Sequence, residues 1–138
     1  MYVHWFHELN SGHRSVVGGK GANLGRLTRE GVHVPPGFCV DVSAYQQFVA
    51  HNGLKPEIER LVAGASTDDI HALHARASDL QRMFIHAPVP NDIQAQMSDA
   101  YQRLSQDSGS SNVPVAVRSS STAEDMQNAS FAGQYDSY

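Results

Sequence analysis

Near its start the chain carries Gly18-Gly19-Lys20-Gly21-Ala22-Asn23-Leu24-Gly25. Glycines let a backbone approach a ligand closely, and we predict a loop over residues 18–21. Good helix formers over residues 22–30 predict a helix whose positive end would face that loop, and Gly31 would stop it. With the charge of Lys20, the stretch indicates a phosphate site, although it lacks the spacing of a Walker A loop. Taken alone, it fits equally well a turn before a helix with a surface lysine.

Two short apolar segments lie on either side of this stretch and predict a small sheet. Residues 3–6 alternate in polarity, as an edge strand does, and residues 38–42 have the composition of a buried strand. The turn-forming run Pro35-Pro36-Gly37 precedes the second strand. Cys39 lies within that strand, and we interpret it as a packing residue rather than a reactive thiol, because nothing nearby would lower its pKa.

The middle of the chain, residues 43–106, has the periodicity of several helices. Ser43 starts a capping-box pattern, and Thr67 precedes two acids, which is typical of a helix N-cap. Among the eight histidines, His71 and His74 have a helical spacing that two metal ligands could use. No third ligand follows at a suitable spacing, so we favour a solvated helix face and assign no metal. We interpret this region as a helical insert that serves as scaffold.

A second polar motif follows the helical region. Residues 113–117 are rich in β-branched side chains and predict a strand that ends in Arg118-Ser119-Ser120-Ser121-Thr122. An arginine at a strand end projects a rigid fork of five donors, and the four hydroxyls after it can also donate to phosphate oxygens. Taken alone, this motif fits a serine-rich loop at a sheet edge better than a binding site. The small residues over 129–137 likewise favour a strand with a bulge.

Composition limits the possible classes of function. The chain has 138 residues, 41% of them hydrophobic, a formal net charge of −4 and a single cysteine, which suits one globular domain. An acidic chain without clustered Lys and Arg is a poor nonspecific binder of nucleic acid. Without a signal peptide or a long apolar segment, we expect a cytoplasmic protein with no membrane partner. Residues 131–138 look like the start of a hairpin, so we expect a fragment of a longer protein.

Several segments, taken together and in this order, resemble one family. They are residues 18–25, Val34-Pro35-Pro36-Gly37-Phe38, Val117-Arg118-Ser119-Ser120, Ala123-Glu124-Asp125 and Ser130-Phe131-Ala132-Gly133-Gln134. The series resembles the amino-terminal ATP-grasp region of phosphoenolpyruvate synthase, pyruvate phosphate dikinase and rifampicin phosphotransferase, from about residue 16 to the end. Residues 31–39 and 131–138 look closer to rifampicin phosphotransferases. The resemblance implies an α+β fold over residues 1–138, a partial ATP-grasp domain with a small mixed or antiparallel sheet and a helical insert.

The resemblance also implies an activity. Enzymes of this family bind Mg-ATP, pass a phosphoryl group to a histidine on a separate swivelling domain, and leave AMP and phosphate. The histidine then phosphorylates pyruvate or a hydroxyl of rifampicin. By matching position, Lys20 and Arg118 would be the catalytic residues and would hold the ATP phosphates at one edge of the sheet, while Gly133 and Ser137 would contact the nucleotide. The ligands of Mg²⁺, the other ATP-grasp lobe, and the phosphohistidine and acceptor domains would lie outside this chain, which alone would be inactive.

Two other functions are compatible with the sequence. The chain could be a noncatalytic nucleotide- or anion-binding module, such as a separate subunit, or a structural remnant that binds nothing. The presence of both Lys20 and Arg118 argues against the remnant. A reading frame that continues into acidic metal ligands and a histidine domain would favour the phosphotransferase over the module.

Overall fold

The computed structural model describes residues 1–63 and 69–122. Within these ranges the chain forms two strands, two short 3₁₀ turns and five α-helices. In chain order they are β1 (Val3–Trp5), the 3₁₀ turns Phe6–Glu8 and Ser11–His13, α1 (Arg14–Arg29), β2 (Phe38–Val40), α2 (Val42–His51), α3 (Lys55–Ala63), α4 (Ile70–His86) and α5 (Asn91–Asp107). The strands pair antiparallel, with Val3 opposite Val40 and Trp5 opposite Phe38. The predicted α+β composition with a small antiparallel sheet is thereby confirmed.

Helix α1 includes the glycines that were predicted to form a loop, so that prediction was wrong. Gly18 is its one residue outside the helical region, with φ 74° and ψ 172°, and it joins two helical segments at a kink. Two later glycines allow α1 to pack closely. A Cβ at Gly21 would lie 2.9 Å from the sulfur of Cys39, and a Cβ at Gly25 would overlap Leu9. These glycines therefore bring a helix close to its neighbours rather than making a flexible loop.

Gly31 stops α1 as predicted, since the helix ends at Arg29 and Gly31 lies just beyond its cap residue Glu30. Gly31 has a φ of 78°, which costs glycine little, and its N–H donates to the carbonyl of Thr28 at 3.2 Å. The N–H of Val32 donates to the carbonyl of Leu27 at 3.0 Å. This pair of hydrogen bonds is the Schellman arrangement, which satisfies carbonyls left open at a helix end.

The structure divides into two compact units, the first of which holds residues 1–44 and the described residues from Asp92 onward. Its core cluster consists of Leu9, Val17 and Ala22, with Phe6, Val16 and Cys39 packed against it. Helix α5 buries Ile93, Ala100 and Leu104, whereas Met97 on the same helix is 39% exposed. Trp5 packs edge-on against Phe38 and lies under the guanidinium of Arg103, 4.9 Å from the ring centroid.

The second unit spans residues 45–91 and is helical in its described part. Tyr45 and Phe48 stack on Phe84 with ring centroids 6.1 and 5.6 Å apart. The side chain of Asp69 caps α4 by accepting the N–H of Ala72 at 3.0 Å, while the predicted cap Thr67 lies outside the described residues. No helix over the described residues is both long and apolar enough to cross a membrane.

Asp41, rather than the predicted Ser43, caps helix α2. Its buried carboxylate accepts the N–H of Ala44 at 3.1 Å and the hydroxyl of Ser43 at 2.5 Å. The His4 ring nitrogen Nε2 lies 2.8 Å from the second carboxylate oxygen, which links β1 to the start of α2. Burial raises the pKa of the Asp41 carboxyl, but the hydrogen bonds from Ser43, His4 and Ala44 outweigh burial and lower that pKa below its ordinary value of 3.8.

We expect Asp41→Asn to destabilise the fold by about 1 kcal/mol at pH 7, because the amide keeps the cap but loses the charged hydrogen bonds. A carboxyl whose folded pKa is depressed stabilises the fold above its unfolded pKa, and that contribution is lost as the pH falls through the lower folded value. The difference between wild type and variant should therefore shrink below pH 3.8. Urea unfolding followed by circular dichroism over a pH series measures it.

The matched control for this change is Glu30→Gln, which removes an exposed carboxylate paired with Arg26 at 3.0 Å. Exposed pairs contribute about 0–1 kcal/mol, so this variant should show a smaller loss at pH 7. A wild-type advantage over Asp41→Asn that stays constant from pH 7 to pH 3 would show that the Asp41 charge does not contribute as described.

Candidate functional site

Ser120 connects the second polar motif to the kink in α1. Its hydroxyl donates a hydrogen bond to the carbonyl of Val17 at 2.7 Å and accepts one from the N–H of Gly21 at 3.1 Å. These residues are separated by about a hundred positions in sequence, and the contact joins the two motifs that the sequence places at opposite ends of the helical region. The two motifs therefore meet in the fold.

The kink in α1 explains why a hydroxyl suits this position. Where a helix breaks, the last carbonyls of the first segment and the first N–H groups of the second lose their intrahelical partners. A helix is usually capped by the side chain of the residue that precedes it, but Gly18 has none. The Ser120 hydroxyl takes over this role from a distant part of the chain. One group satisfies a carbonyl on one side of the break and an N–H on the other.

The fit at Gly18 is tight. A Cβ on this residue would lie 2.5 Å from the Ser120 Oγ, 2.6 Å from the Ser120 carbonyl oxygen and 2.8 Å from its carbonyl carbon. Real Cβ atoms do not approach backbone atoms so closely, because the contacts fall inside the van der Waals radii. Glycine is therefore required at position 18 by the close approach of Ser120 as well as by its positive φ.

Lys20 and Arg118 lie on the two segments that Ser120 joins. Lys20 is exposed on α1, between the kink at Gly18 and the hydrogen-bonded Gly21. Arg118 is exposed too, forms an isolated β-bridge, and precedes Ser120 by two residues, a separation of at most about 7 Å along an extended chain. Among the described residues the motifs meet at the kink of α1, not at an edge of the sheet formed by β1 and β2. That the two side chains converge on one ligand stays a prediction.

The predicted strand over residues 113–117 is not present. The segment lies outside any strand, and residues 114–117 are exposed, with Val115 and Val117 48% and 61% exposed. Its start is held by α5, where the Tyr101 hydroxyl donates to the carbonyl of Val113 at 3.0 Å and the Val113 N–H donates to the Ser105 hydroxyl at 3.3 Å. β-branched residues favour strands only where a neighbouring strand and a packed face are available.

Two further predicted site residues, Gly133 and Ser137, lie outside the described residues. No three His, Cys, Asp or Glu side chains within residues 1–63 and 69–122 form a group that could hold a metal ion. Cys39 is half-buried, and burial raises the pKa of its thiol to about 11, which makes it a packing residue with little thiolate at neutral pH.

Ser120 is the residue that sequence reasoning did not single out. The motif pattern identified four hydroxyls after Arg118 as donors for phosphate oxygens, without distinguishing one from another. In the structure the Ser120 hydroxyl donates its hydrogen bond to the Val17 carbonyl, so its acceptor is a backbone group of the protein. The sequence shows a run of hydroxyls after Arg118 and has no local signal that distinguishes Ser120 from its neighbours.

Comparison with known proteins identifies the family. Residues 14–138 match the family described as "Pyruvate phosphate dikinase, AMP/ATP-binding domain". The probable phosphoenolpyruvate synthase of Methanothermobacter thermautotrophicus is 40% identical over 137 residues, which cover 99% of this chain and 20% of that protein. The phosphoenolpyruvate synthases of Neisseria meningitidis and Aquifex aeolicus are 38% and 36% identical, again over 99% of this chain and over 18% and 16% of their own lengths. The chain thus spans a fifth or less of these relatives, and it belongs to the pyruvate phosphate dikinase AMP/ATP-binding domain family.

Proposed function

We propose that this chain holds the phosphates of ATP in a dikinase-type phosphotransferase, with Lys20 and Arg118 as the side chains that contact them. The single observation that supports the proposal most strongly is the Ser120 hydroxyl bridge from Val17 to Gly21. It fixes the segment of Arg118 beside the segment of Lys20, and these segments carry the two cationic motifs of this chain. The family to which the chain belongs is described as AMP/ATP-binding.

The chemistry of these two residues suits phosphate. Phosphoryl transfer depends mainly on positioning and on neutralising the charge of the transferred group, so a site needs few but well-placed cations. Lysine supplies a compact point charge, and the arginine fork can bind two phosphate oxygens at once. Both side chains are exposed in a chain of net charge −4, so the local positive charge comes from individual residues rather than from a basic surface.

The full reaction is a further part of the proposal. ATP is split to AMP and phosphate, and a phosphoryl group passes through a phosphohistidine on another domain to an acceptor. The relatives are named phosphoenolpyruvate synthases, which favours pyruvate as that acceptor over a hydroxyl of rifampicin. The proposal includes an ATP-grasp architecture completed by a second lobe, nucleotide contacts from Gly133 and Ser137, and a cytoplasmic location. The described residues offer no metal site, so we place the ligands of Mg²⁺ elsewhere and assign it no step here.

The test is ATP binding by the full-length protein that contains this chain, measured by isothermal titration calorimetry. We expect Lys20→Ala and Arg118→Ala each to weaken ATP binding by about ten- to a hundredfold, because a hydrogen bond to a charged group contributes about 1.5–3 kcal/mol. The matched controls are Lys55→Ala and Arg29→Ala, which remove exposed cations from other parts of the chain and should leave the affinity unchanged.

Unchanged ATP affinity in both the Lys20 and the Arg118 variant would refute the assignment of the site. An AMP assay on the same proteins separates the two functions that remain. Wild-type protein that binds ATP and forms AMP is the proposed phosphotransferase, and protein that binds ATP without ever forming AMP is the noncatalytic module instead.

A further inference from the structure

We infer that Ser120 is a positioning residue of the phosphate site. Before a nucleotide binds, its hydroxyl holds in place the turn over residues 17–21, which carries Lys20, and the segment over residues 113–120, which carries Arg118. The inference rests on the proposed function, since it assigns a role within the same site. Ser120 itself is not assigned a contact with the nucleotide. It acts through the two segments that it joins.

The first step of the argument is the hydrogen bonding of the hydroxyl. A serine hydroxyl has one proton to donate, and Ser120 donates it to the Val17 carbonyl at 2.7 Å. One of its acceptor positions is taken by the N–H of Gly21 at 3.1 Å. Since its one proton is already used, this hydroxyl is suited to hold protein to protein rather than to donate to a ligand.

The second step is the position of Lys20. It lies in the five-residue turn of α1 that begins at Val17 and ends at Gly21, and both ends of this turn are hydrogen-bonded to one oxygen atom, the Oγ of Ser120. Between them, Gly18 adopts a backbone conformation that few other residues can take. Without the Ser120 hydroxyl, the Val17 carbonyl and the Gly21 N–H would need water as a partner. The turn that carries Lys20 would then be less well fixed.

The third step is the position of Arg118. Residues 114–117 are exposed and outside any strand, so the described part of the chain supports this segment mainly at its two ends. Tyr101 and Ser105 hold the end at Val113, and Ser120 holds the other end. Arg118 lies two residues from the second of these supports. Loss of the Ser120 hydroxyl would therefore remove one support from each cation, although Arg118 keeps the β-bridge of its own backbone.

A pre-set site avoids part of the ordering cost of binding. A ligand that must fix a mobile turn and a mobile segment gives up affinity in proportion to that ordering. We expect Ser120→Ala to weaken ATP binding by the full-length protein about tenfold, which corresponds to about 1.4 kcal/mol. The matched control is Ser111→Ala, the same change at an exposed serine of the polar loop before Val113, which should alter affinity less than about twofold.

A double-mutant cycle separates positioning from a general effect on stability. If Ser120 acts by placing Lys20, its removal should have less effect once Lys20 is gone, because interacting residues are not additive. We expect Ser120→Ala to cost about tenfold in wild-type protein and less than about threefold in the Lys20→Ala background. Equal losses in both backgrounds would overturn the inference. They would leave the proposed function intact, since that depends on the Lys20 and Arg118 variants.

A second measurement needs no variant at Ser120. Hydrogen–deuterium exchange of wild-type protein should show the peptide that covers residues 17–21 protected already without nucleotide. Little further change should follow when a nonhydrolysable ATP analogue is added. Protection that arises only with the analogue would mean that the nucleotide, not Ser120, sets the turn in place, and the inference would then be wrong. If ATP does not bind to wild-type protein at all, the proposed function and this inference both fail.

Discussion

Replacing Gly18 with alanine is expected to destabilise the chain by about 3 kcal/mol or more and to break the contact with Ser120. Two costs add at this position. A φ of 74° with a ψ of 172° lies in a region that is nearly exclusive to glycine, and occupying it costs other residues about 1–3 kcal/mol. The new Cβ would also lie 2.6 Å from the Ser120 carbonyl oxygen and 2.8 Å from the carbonyl carbon, which are backbone atoms that no rotamer change can move.

Urea unfolding gives the change in the free energy of unfolding, and Gly31→Ala is the matched control. Gly31 also has a positive φ, of 78°, but nothing lies within 4 Å of the position that its Cβ would take. The control therefore has only the conformational cost, about 1–2 kcal/mol. The difference between the two variants therefore reports the contact with Ser120 together with the greater conformational cost at Gly18. If Gly18→Ala and Gly31→Ala destabilise equally, the close approach of Ser120 to the kink does not exist in solution.

The glycine motif shows how far sequence reasoning reaches in this chain. The glycine motif, followed along the chain by the second motif, was enough to identify the family, because that inference requires only residue types and their order. Its local structure was predicted wrongly, because glycine is common both in loops and where a helix packs closely on a neighbour. Only the tertiary contacts of Gly21 with Cys39, and of Gly25 with Leu9, distinguish the two uses. Contacts between segments distant in sequence leave no local pattern.

The strand prediction for residues 113–117 failed for a related reason. β-branched composition indicates that a segment suits a packed, hydrogen-bonded sheet, and does not supply the sheet. The cap of α2 was misplaced by two residues because Ser43 and Asp41 are both good caps. What favours Asp41 is His4, which lies across the sheet and supplies an additional hydrogen bond. In both cases the contact that determines the local structure comes from a separate element, α5 for residues 113–117 and β1 for the cap of α2.

The candidate site was predictable in part. Lys20 and Arg118 follow from the motifs, since charged side chains on glycine- and serine-rich segments suggest phosphate chemistry without a structure. The role of Ser120 could not be predicted from sequence, because three neighbouring residues have the same hydroxyl. The distinction arises from the kink at Gly18, which creates an unsatisfied carbonyl and N–H that one of these hydroxyls can reach.

Replacing Gly25 with alanine should destabilise the chain by about 3 kcal/mol, although alanine is intrinsically the better helix former by about 1 kcal/mol. The added Cβ would overlap the Cβ of Leu9 and lie 2.8 Å from its carbonyl oxygen. Because these atoms belong to the backbone or are attached directly to it, α1 must move away from Leu9. Leu9 is fully buried and belongs to the core cluster with Val17 and Ala22, so this movement opens the core. Urea unfolding measures the loss.

Two variants on the same helix show whether the contact or the helix itself is responsible. Asn23→Ala, at an exposed position of α1, should be neutral or slightly stabilising, because it changes only helix propensity. Gly21→Ala should fall between the two. The atoms nearest its Cβ belong to the side chains of Cys39 and Val17, at 2.9 and 3.0 Å, and side chains can shift where backbone cannot. A Gly25→Ala variant that is as stable as Asn23→Ala would mean that α1 does not pack on Leu9, and the hydrophobic core described for the first unit would then be incorrect.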